Sequence, residues 1–171
     1  MITAEHAHAI RTVDRLVDVA RLGLEREAEH LYLRDVVQSV AERLGTPFVV
    51  IDVLLNDAQV IIAEYGPVPE WISEVGGMPL EWSLCQHLVV GRVPRVVTDL
   101  AADPAFRDNP LVTVGGMRAY LGAPLISHTG HVLGGLCGLD VQPREFASED
   151  VAFVRERAVE VVDRIEERAG G

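Results

Sequence analysis

The two cysteines, Cys85 and Cys137, are the side chains here with the widest chemical range. Ser83-Leu84-Cys85-Gln86 has the form of a capping box, in which a serine oxygen and a glutamine side chain satisfy reciprocal backbone donors at a helix start. That places Cys85 at the second helical position, where free N–H groups and the helix dipole favour a reactive thiolate. Cys137 lies in an apolar, glycine-rich strand, whose alternation puts Leu133, Gly135, Cys137 and Leu139 on one face and Leu136 and Asp140 on the other. If the two thiols come within disulfide reach they form a redox pair. The structural reading of both is plain core packing, because free cysteine is among the most buried residue types.

Polar residues in apolar surroundings are the next candidates. Arg118, Tyr120 and Asp140 interrupt apolar strands, and Asp99 ends another. An arginine grips a carboxylate or phosphate bidentately and a tyrosine orients a ring, but Arg118 is equally able to pair with an acid such as Asp99 or Asp140. Trp82 either walls a pocket or packs at a helix start. The closest metal-like groupings, His6 with His8, Cys85 with His87 and His128 with His131, lack the spacing of a closed zinc site. Neither a Ser-His-Asp pattern nor a G-x-S-x-G elbow supports a hydrolase. All 15 basic residues are arginine, so Schiff-base, pyridoxal phosphate and P-loop lysine chemistry is excluded.

The elements that must position these groups follow from periodicity. Ile10, Val13, Val17, Ala20 and Leu24 alternate steps of three and four, predicting a helical stripe that begins after an N-cap at Thr3. A second pattern, Leu33, Val36, Val37, Val40, Ala41 and Leu44, stops at Gly45-Thr46-Pro47. These read as two helices or as one broken near His30. A hairpin is predicted from Phe48–Leu55 and Val60–Tyr65, with a short helix from Pro69 to Val75. Further strands fall at Arg95–Thr98, Arg118–Ile126 and Val132–Asp140. A last helix, capped by Ser148, carries Val151, Val154, Ala158, Val161 and Ile165 on one stripe, with Glu156, Glu160, Asp163, Glu166 and Glu167 on a solvated face.

Helices at both ends and antiparallel strands between them make an α+β domain. At 171 residues, one core can form without metal or disulfide staples. The net charge of −11 disfavours nucleic acid and anionic membranes as partners. The absence of a signal-peptide pattern, of an apolar span and of CxxC motifs predicts a cytoplasmic protein with reduced thiols.

Six blocks, in order and spacing, resemble the GAF domain family of small-molecule sensors, in the branch attached to bacterial histidine kinases, cyclases and phosphatases. They are Ser83-Leu84-Cys85, Val97-Thr98-Asp99, Asp103-Pro104-Ala105-Phe106, Asn109-Pro110-Leu111-Val112, Arg118 to Leu125, and Leu133 to Asp140. The resemblance covers about residues 28 to 166. It implies a central antiparallel sheet of about six strands, terminal helices packed on one face, a ligand pocket on the other under residues 66 to 117, and dimers built from the first and last helices. The chain departs from several relatives. It lacks the cysteine-histidine dipeptide of tetrapyrrole binders, the lysine of the phosphodiesterase-type cyclic-nucleotide signature, and the clustered cysteines of free methionine sulfoxide reductases.

The expectation is therefore a domain over residues 28–168 preceded by a helical extension, 1–27, as a dimerisation seam. Its expected role is non-catalytic, sensory or regulatory, binding a small molecule and acting in trans on a signalling partner or within a larger sensor. The ligand-binding candidates are Trp82, Cys85, His87, Asp99, Arg118, Tyr120 and Asp140, with no metal and no specified cofactor. His87 belongs to this set as the histidine nearest the implied pocket mouth. The alternatives are a thiol-based enzyme of the free methionine sulfoxide reductase type using Cys85 and Cys137, and a purely structural dimerisation module.

Overall fold

Period-two alternation of apolar residues builds the sheet around which the chain is organised. The computed structural model describes residues 3–24, 30–67 and 77–170, so the helix expected between Pro69 and Val75 lies outside the described residues. The strands are β1 (Phe48–Leu54), β2 (Ala58–Tyr65), β3 (Gly77–Pro79), β4 (Arg95–Val97), β5 (Ala119–Ile126) and β6 (Val132–Asp140). They form one antiparallel sheet in the order β3-β2-β1-β6-β5-β4. The described helices are α1 (Ala4–Ile10), α2 (Val13–Arg21), α3 (Arg34–Leu44), α4 (Gln86–Gly91), α5 (Pro110–Thr113) and α6 (Ser148–Gly170). None is long and apolar enough to cross a membrane. The α+β expectation and its six strands hold.

Each face of the sheet is covered. Val49, Ile51 and Val53 of β1 and Leu121, Ala123 and Leu125 of β5 pack against α3 and α6. The opposite side chains, Phe48, Val50, Tyr120 and Cys137, lie under the loops and short helices between β3 and β5. Gly45 closes α3 in the left-handed region, at φ 69°, a conformation glycine reaches without a Cβ penalty. Leu133 departs from simple alternation. Leu125 pairs with Gly134 but Ile126 pairs with Val132, so Leu133 is an extra residue in β6 and turns into the helix-side core. The last helix starts at Ser148 itself, so Ser148 is its first residue rather than the expected cap, and the Asp150 carboxylate reaches back to accept the Ala147 N–H at 3.2 Å.

The N-terminal stripe does not form. Thr3 caps α1 as expected, accepting the His6 N–H at 3.1 Å, but the helix ends at Ile10 and a new one starts at Val13. Ile10 and Leu24 are buried in separate clusters, whereas Val13 and Val17 are 73% and 60% exposed. The face of α2 turned inward instead carries Arg15 and Asp18 beside Val19. Arg15, 2% exposed, donates to the carbonyls of Ile10 at 2.7 Å, Leu54 at 2.5 Å and Val132 at 3.1 Å, with Leu133 at 3.4 Å. These carbonyls lie where α1 and β1 end and where β6 begins with its bulge, so one guanidinium satisfies groups the ladder leaves over.

Three residues further on, the carboxylate of Asp18 receives Ser127 Oγ, Thr129 Oγ1 at 2.7 Å and His131 Nδ1 at 3.1 Å from the β5–β6 turn, and Arg21 at 2.7 Å. Arg21 in turn bonds both oxygens of Glu166 on α6 at 3.0 Å, so α2 is tied to a turn and to the last helix. The apolar stripe of α6 packs on its own sheet through Val154, Ala158, Val161 and Ile165.

Burial alone would raise the Asp18 carboxyl, but hydrogen bonds from Ser127, Thr129, Arg21 and His131 outweigh it and hold the group at about 2, below its ordinary 3.8. The folded state therefore binds the proton more weakly than the unfolded one. The resulting stabilisation, about 2 kcal/mol, is complete above pH ~4 and is lost as pH falls through about 2. In denaturant melts at several pH values, Asp18→Asn should be less stable than the parent at neutral pH, with the gap closing in acid. A gap independent of pH would contradict this assignment.

Candidate functional site

A carboxylate that the sequence reading passed over lies at the centre of the sheet. Asp52 sits in β1 between Ile51 and Val53, on the face shared with Phe48 and Val50, and is fully buried. Its Oδ1 accepts the Gly135 N–H at 3.2 Å. Its Oδ2 accepts the Cys85 thiol at 3.0 Å and faces the Cys137 thiol at 3.7 Å. The two sulfurs are 2.9 Å apart, and the Tyr120 hydroxyl lies 3.3 Å from Cys85 Sγ and 3.6 Å from Cys137 Sγ. Three strands and one loop supply the groups: Asp52 comes from β1, Cys137 from the adjacent β6, and Cys85 from the residue before α4. Tyr120 joins them from β5, completing a four-membered polar cluster.

Two glycines make the space. A Cβ on Gly122 would lie 2.1 Å from the Tyr120 hydroxyl and 2.5 Å from its ring carbon, so the ring lies flat over this position. A Cβ on Gly135 would lie 3.1 Å from each sulfur and 2.8 Å from Leu88. The glycines of the Leu133–Asp140 and Arg118–Leu125 blocks thus admit the aromatic ring and both thiols.

Burial governs the acid–base state. It pushes the Asp52 carboxyl up to about 7, against the opposing pull of hydrogen bonds from Cys85, Gly135 and Cys137. Burial likewise raises the Cys85 and Cys137 thiols and the Tyr120 phenol above their ordinary values. The expectation of an acidic Cys85 thiolate is therefore corrected. Helix α4 begins at Gln86, with Cys85 in the cap position expected of Ser83; Ser83 Oγ accepts the Cys85 N–H at 3.1 Å, and the Gln86 amide donates to the Ser83 carbonyl at 3.0 Å. The thiol itself points into the core beside a carboxylate, where desolvation overrides any helix field.

Beside the cluster is a cavity of about 40 Å³, lined by Asp52, Cys85, Tyr120 and Cys137 together with apolar side chains including Phe48, Met78 and Met117. It is room for a few waters or a ligand of a few atoms. Gln59 also lines it; the residue is buried, and its Oε1 has no hydrogen-bond partner among the described residues.

The structure brings Cys85 and Tyr120 together here and separates the other expected site residues. Arg118 grips Asp99 in a bidentate pair at 2.7 and 2.8 Å near the surface. Asp140 bonds Arg144 at 3.1 Å. His87 packs edge-on between His6 of α1, at 4.5 Å, and Phe106, at 4.9 Å; burial, with Arg95 and His6 nearby, lowers it to about 4. Trp82 is half-buried at the rim of the pocket-side core, and its carbonyl accepts Asn109 Nδ2 at 3.1 Å. Asp52 and Gln59 were not anticipated. A single carboxylate inside the apolar run Phe48–Leu55 was the available signal for the first.

Comparison with known proteins bears on the fold that carries these side chains. The family model described as GAF domain matches residues 29–163. The chain is 32% identical over 149 residues to a cyclic di-GMP phosphodiesterase of Pseudomonas aeruginosa, covering 86% of this chain but only 24% of that protein's length. Among solved structures it is similar to the GAF domain of a phosphoenolpyruvate-protein phosphotransferase from Coxiella burnetii, with TM-score 0.69 and 20% identity over 96% of this chain and 98% of that one. It is also similar to a type II free methionine-R-sulfoxide reductase from Thermoplasma acidophilum, with TM-score 0.65 and 16% identity over 81% and 93% of the two chains. Likeness at these identities is one of fold.

The Gly122–Tyr120 contact yields a direct test. Gly122→Ala should destabilise the protein by about 1–3 kcal/mol through overpacking. The same change in a Tyr120→Leu background should cost distinctly less, a coupling read from a double-mutant cycle in urea melts. Equal costs in both backgrounds would show that the ring does not occupy the glycine's space.

Proposed function

The chain belongs to the GAF domain family, and on that premise we propose that it is a non-catalytic sensory or regulatory module that binds a small molecule in the cavity beside Asp52. The observation that carries this reading is Gln59 Oε1, which is buried and has no hydrogen-bond partner among the described residues. A buried acceptor without a donor costs about 1–3 kcal/mol, a penalty that a bound molecule carrying an N–H or O–H removes. An apolar enclosure with a few convergent polar groups is the usual make-up of a ligand pocket. At about 40 Å³ the cavity favours a ligand of few atoms, and a larger one requires Met78 and Met117, flexible side chains on its wall, to move aside. The module acts on a signalling partner in trans or inside a larger sensor, in the cytoplasm, where the thiols stay reduced.

We further propose that it pairs as a homodimer through its terminal helices, with Val13 and Val17 of α2 and Val159 of α6 as the exposed apolar contacts. Val13→Glu with Val17→Glu should convert the dimer to a monomer in sedimentation at micromolar concentration while leaving the fold intact by circular dichroism. A dimer unchanged by both substitutions would remove α2 from the interface.

A second reading, a thiol-based reductase of free methionine sulfoxide, draws support from the 2.9 Å separation of the sulfurs. In that chemistry the sulfoxide and two thiols yield methionine, a Cys85–Cys137 disulfide and one water, and an external thiol later reduces the disulfide.

Two measurements decide between them. Native mass spectrometry of freshly purified protein should show a bound species absent under denaturing conditions, and Gln59→Leu should abolish it; bare chain in the native spectrum together with no thermal shift from a panel of small metabolites would overturn the sensory reading. Turnover of free methionine sulfoxide that disappears in Cys85→Ser and in Cys137→Ser would establish the enzyme.

A further inference from the structure

We propose that Asp52, Cys85 and Cys137 form a binding site for one zinc(II) ion, with an open coordination position facing the cavity. Their ligand atoms all lie within 4.8 Å of one another, and all three residues are buried. This site goes beyond the sensory reading and does not depend on the identity of any organic ligand.

Three observations converge. First, Asp52 has no cationic partner among the described residues: its hydrogen bonds come from the Gly135 N–H and the two thiols. A buried carboxylate without a counter-charge is a group that coordination of a metal satisfies. Second, the donor set is two sulfurs and one oxygen, which selects a thiophilic ion over magnesium or calcium. Third, the spacing is near what zinc needs. Tetrahedral bonds of about 2.3 Å to sulfur and 2.0 Å to oxygen separate the donor atoms by roughly 3.5 to 3.8 Å. The observed separations are 2.9 Å for the sulfurs, 3.0 Å from Cys85 Sγ to Asp52 and 3.7 Å from Cys137 Sγ to Asp52.

Admitting the ion therefore requires Cys85 to withdraw by less than about 1 Å. Cys85 is the member able to do so, because it stands in the loop before α4, while Asp52 and Cys137 are fixed on adjacent, hydrogen-bonded strands. The glycine at position 135 leaves both sulfurs free of a Cβ that would crowd them. On binding, two S–H bonds break and two Zn–S bonds form; both thiol protons leave to solvent, as does the proton that Asp52 carries in its neutral form, so that it binds as carboxylate, and no electron is transferred. Three protein ligands leave a fourth position for Tyr120, a water or the sensed molecule, the arrangement of an open rather than a closed zinc site.

The test uses the full chain, reduced and stripped with a chelator, and zinc(II) and cobalt(II) as probes. Zinc should be retained through desalting at one ion per chain and should protect both thiols from a thiol-reactive dye. Cobalt should give a near-ultraviolet thiolate-to-cobalt charge-transfer band. Asp52→Asn should weaken zinc binding by more than about 10-fold, the loss that even outer-shell substitutions bring. Cys85→Ser and Cys137→Ser should each diminish the cobalt band, whereas His128→Ala with His131→Ala should leave binding unchanged. If a cysteine variant fails to fold, the band and thiol protection in the parent protein decide the matter. Zinc lost on desalting, no charge-transfer band, unprotected thiols, or binding that disappears with the histidines would each overturn the site.

Discussion

The middle of the sheet is covered on both faces, and this double cover sets the terms for everything else. In β1, β5 and β6 nearly every residue is buried, so a polar group on these strands has no water to turn to. It must find its partners inside the protein or change its protonation state. Asp52 takes hydrogen bonds from Gly135 and from the thiols and has its proton held more tightly. Arg15 meets the same constraint at the strand ends by spending its guanidinium on carbonyls, and burial lowers it only to about 10, leaving it charged at neutral pH.

The two faces have been put to different use. The helix side is filled by aliphatic side chains from α3 and α6 and is a conventional core. The other face holds two cysteines, a tyrosine and an aspartate among methionine, leucine and phenylalanine, with a small void beside them. Arg118 and Asp99, whose residue types suggested ligand recognition, serve instead to close the loop after β4 against the start of β5. Burial thus raises the carboxyl, thiol and phenol groups on this face, unlike the solvated charges on the surface.

Most of the fold was legible in the sequence, because the signals were local. The β1–β2 hairpin, the strands around Gly122 and Gly135, the glycine cap at residue 45 and the buried stripe of α6 follow from periodicity and turn chemistry. The site was half legible. Cys85, Tyr120 and Cys137 stood out as types, but their meeting depends on the pairing of β5 with β6 and on the loop that brings Cys85 over them, which no spacing expresses. Asp52 was hidden because an apolar run of β-branched residues absorbs one carboxylate without losing its strand character. The N-terminal stripe misled for a physical reason: Val13 and Val17 have the right spacing for a core, yet the carbonyls left at the sheet's end attract Arg15 and turn the opposite face inward.

That same guanidinium separates two notions of a domain. The portion recognisable as a family member starts at residue 29, yet a residue fourteen positions earlier closes the end of the sheet, and Ile10, earlier still, is packed against Leu54 and Val132. The segment outside the family match is, in this protein, an integral wall. The wall that holds the strand ends shut therefore begins well before the first residue of the family match.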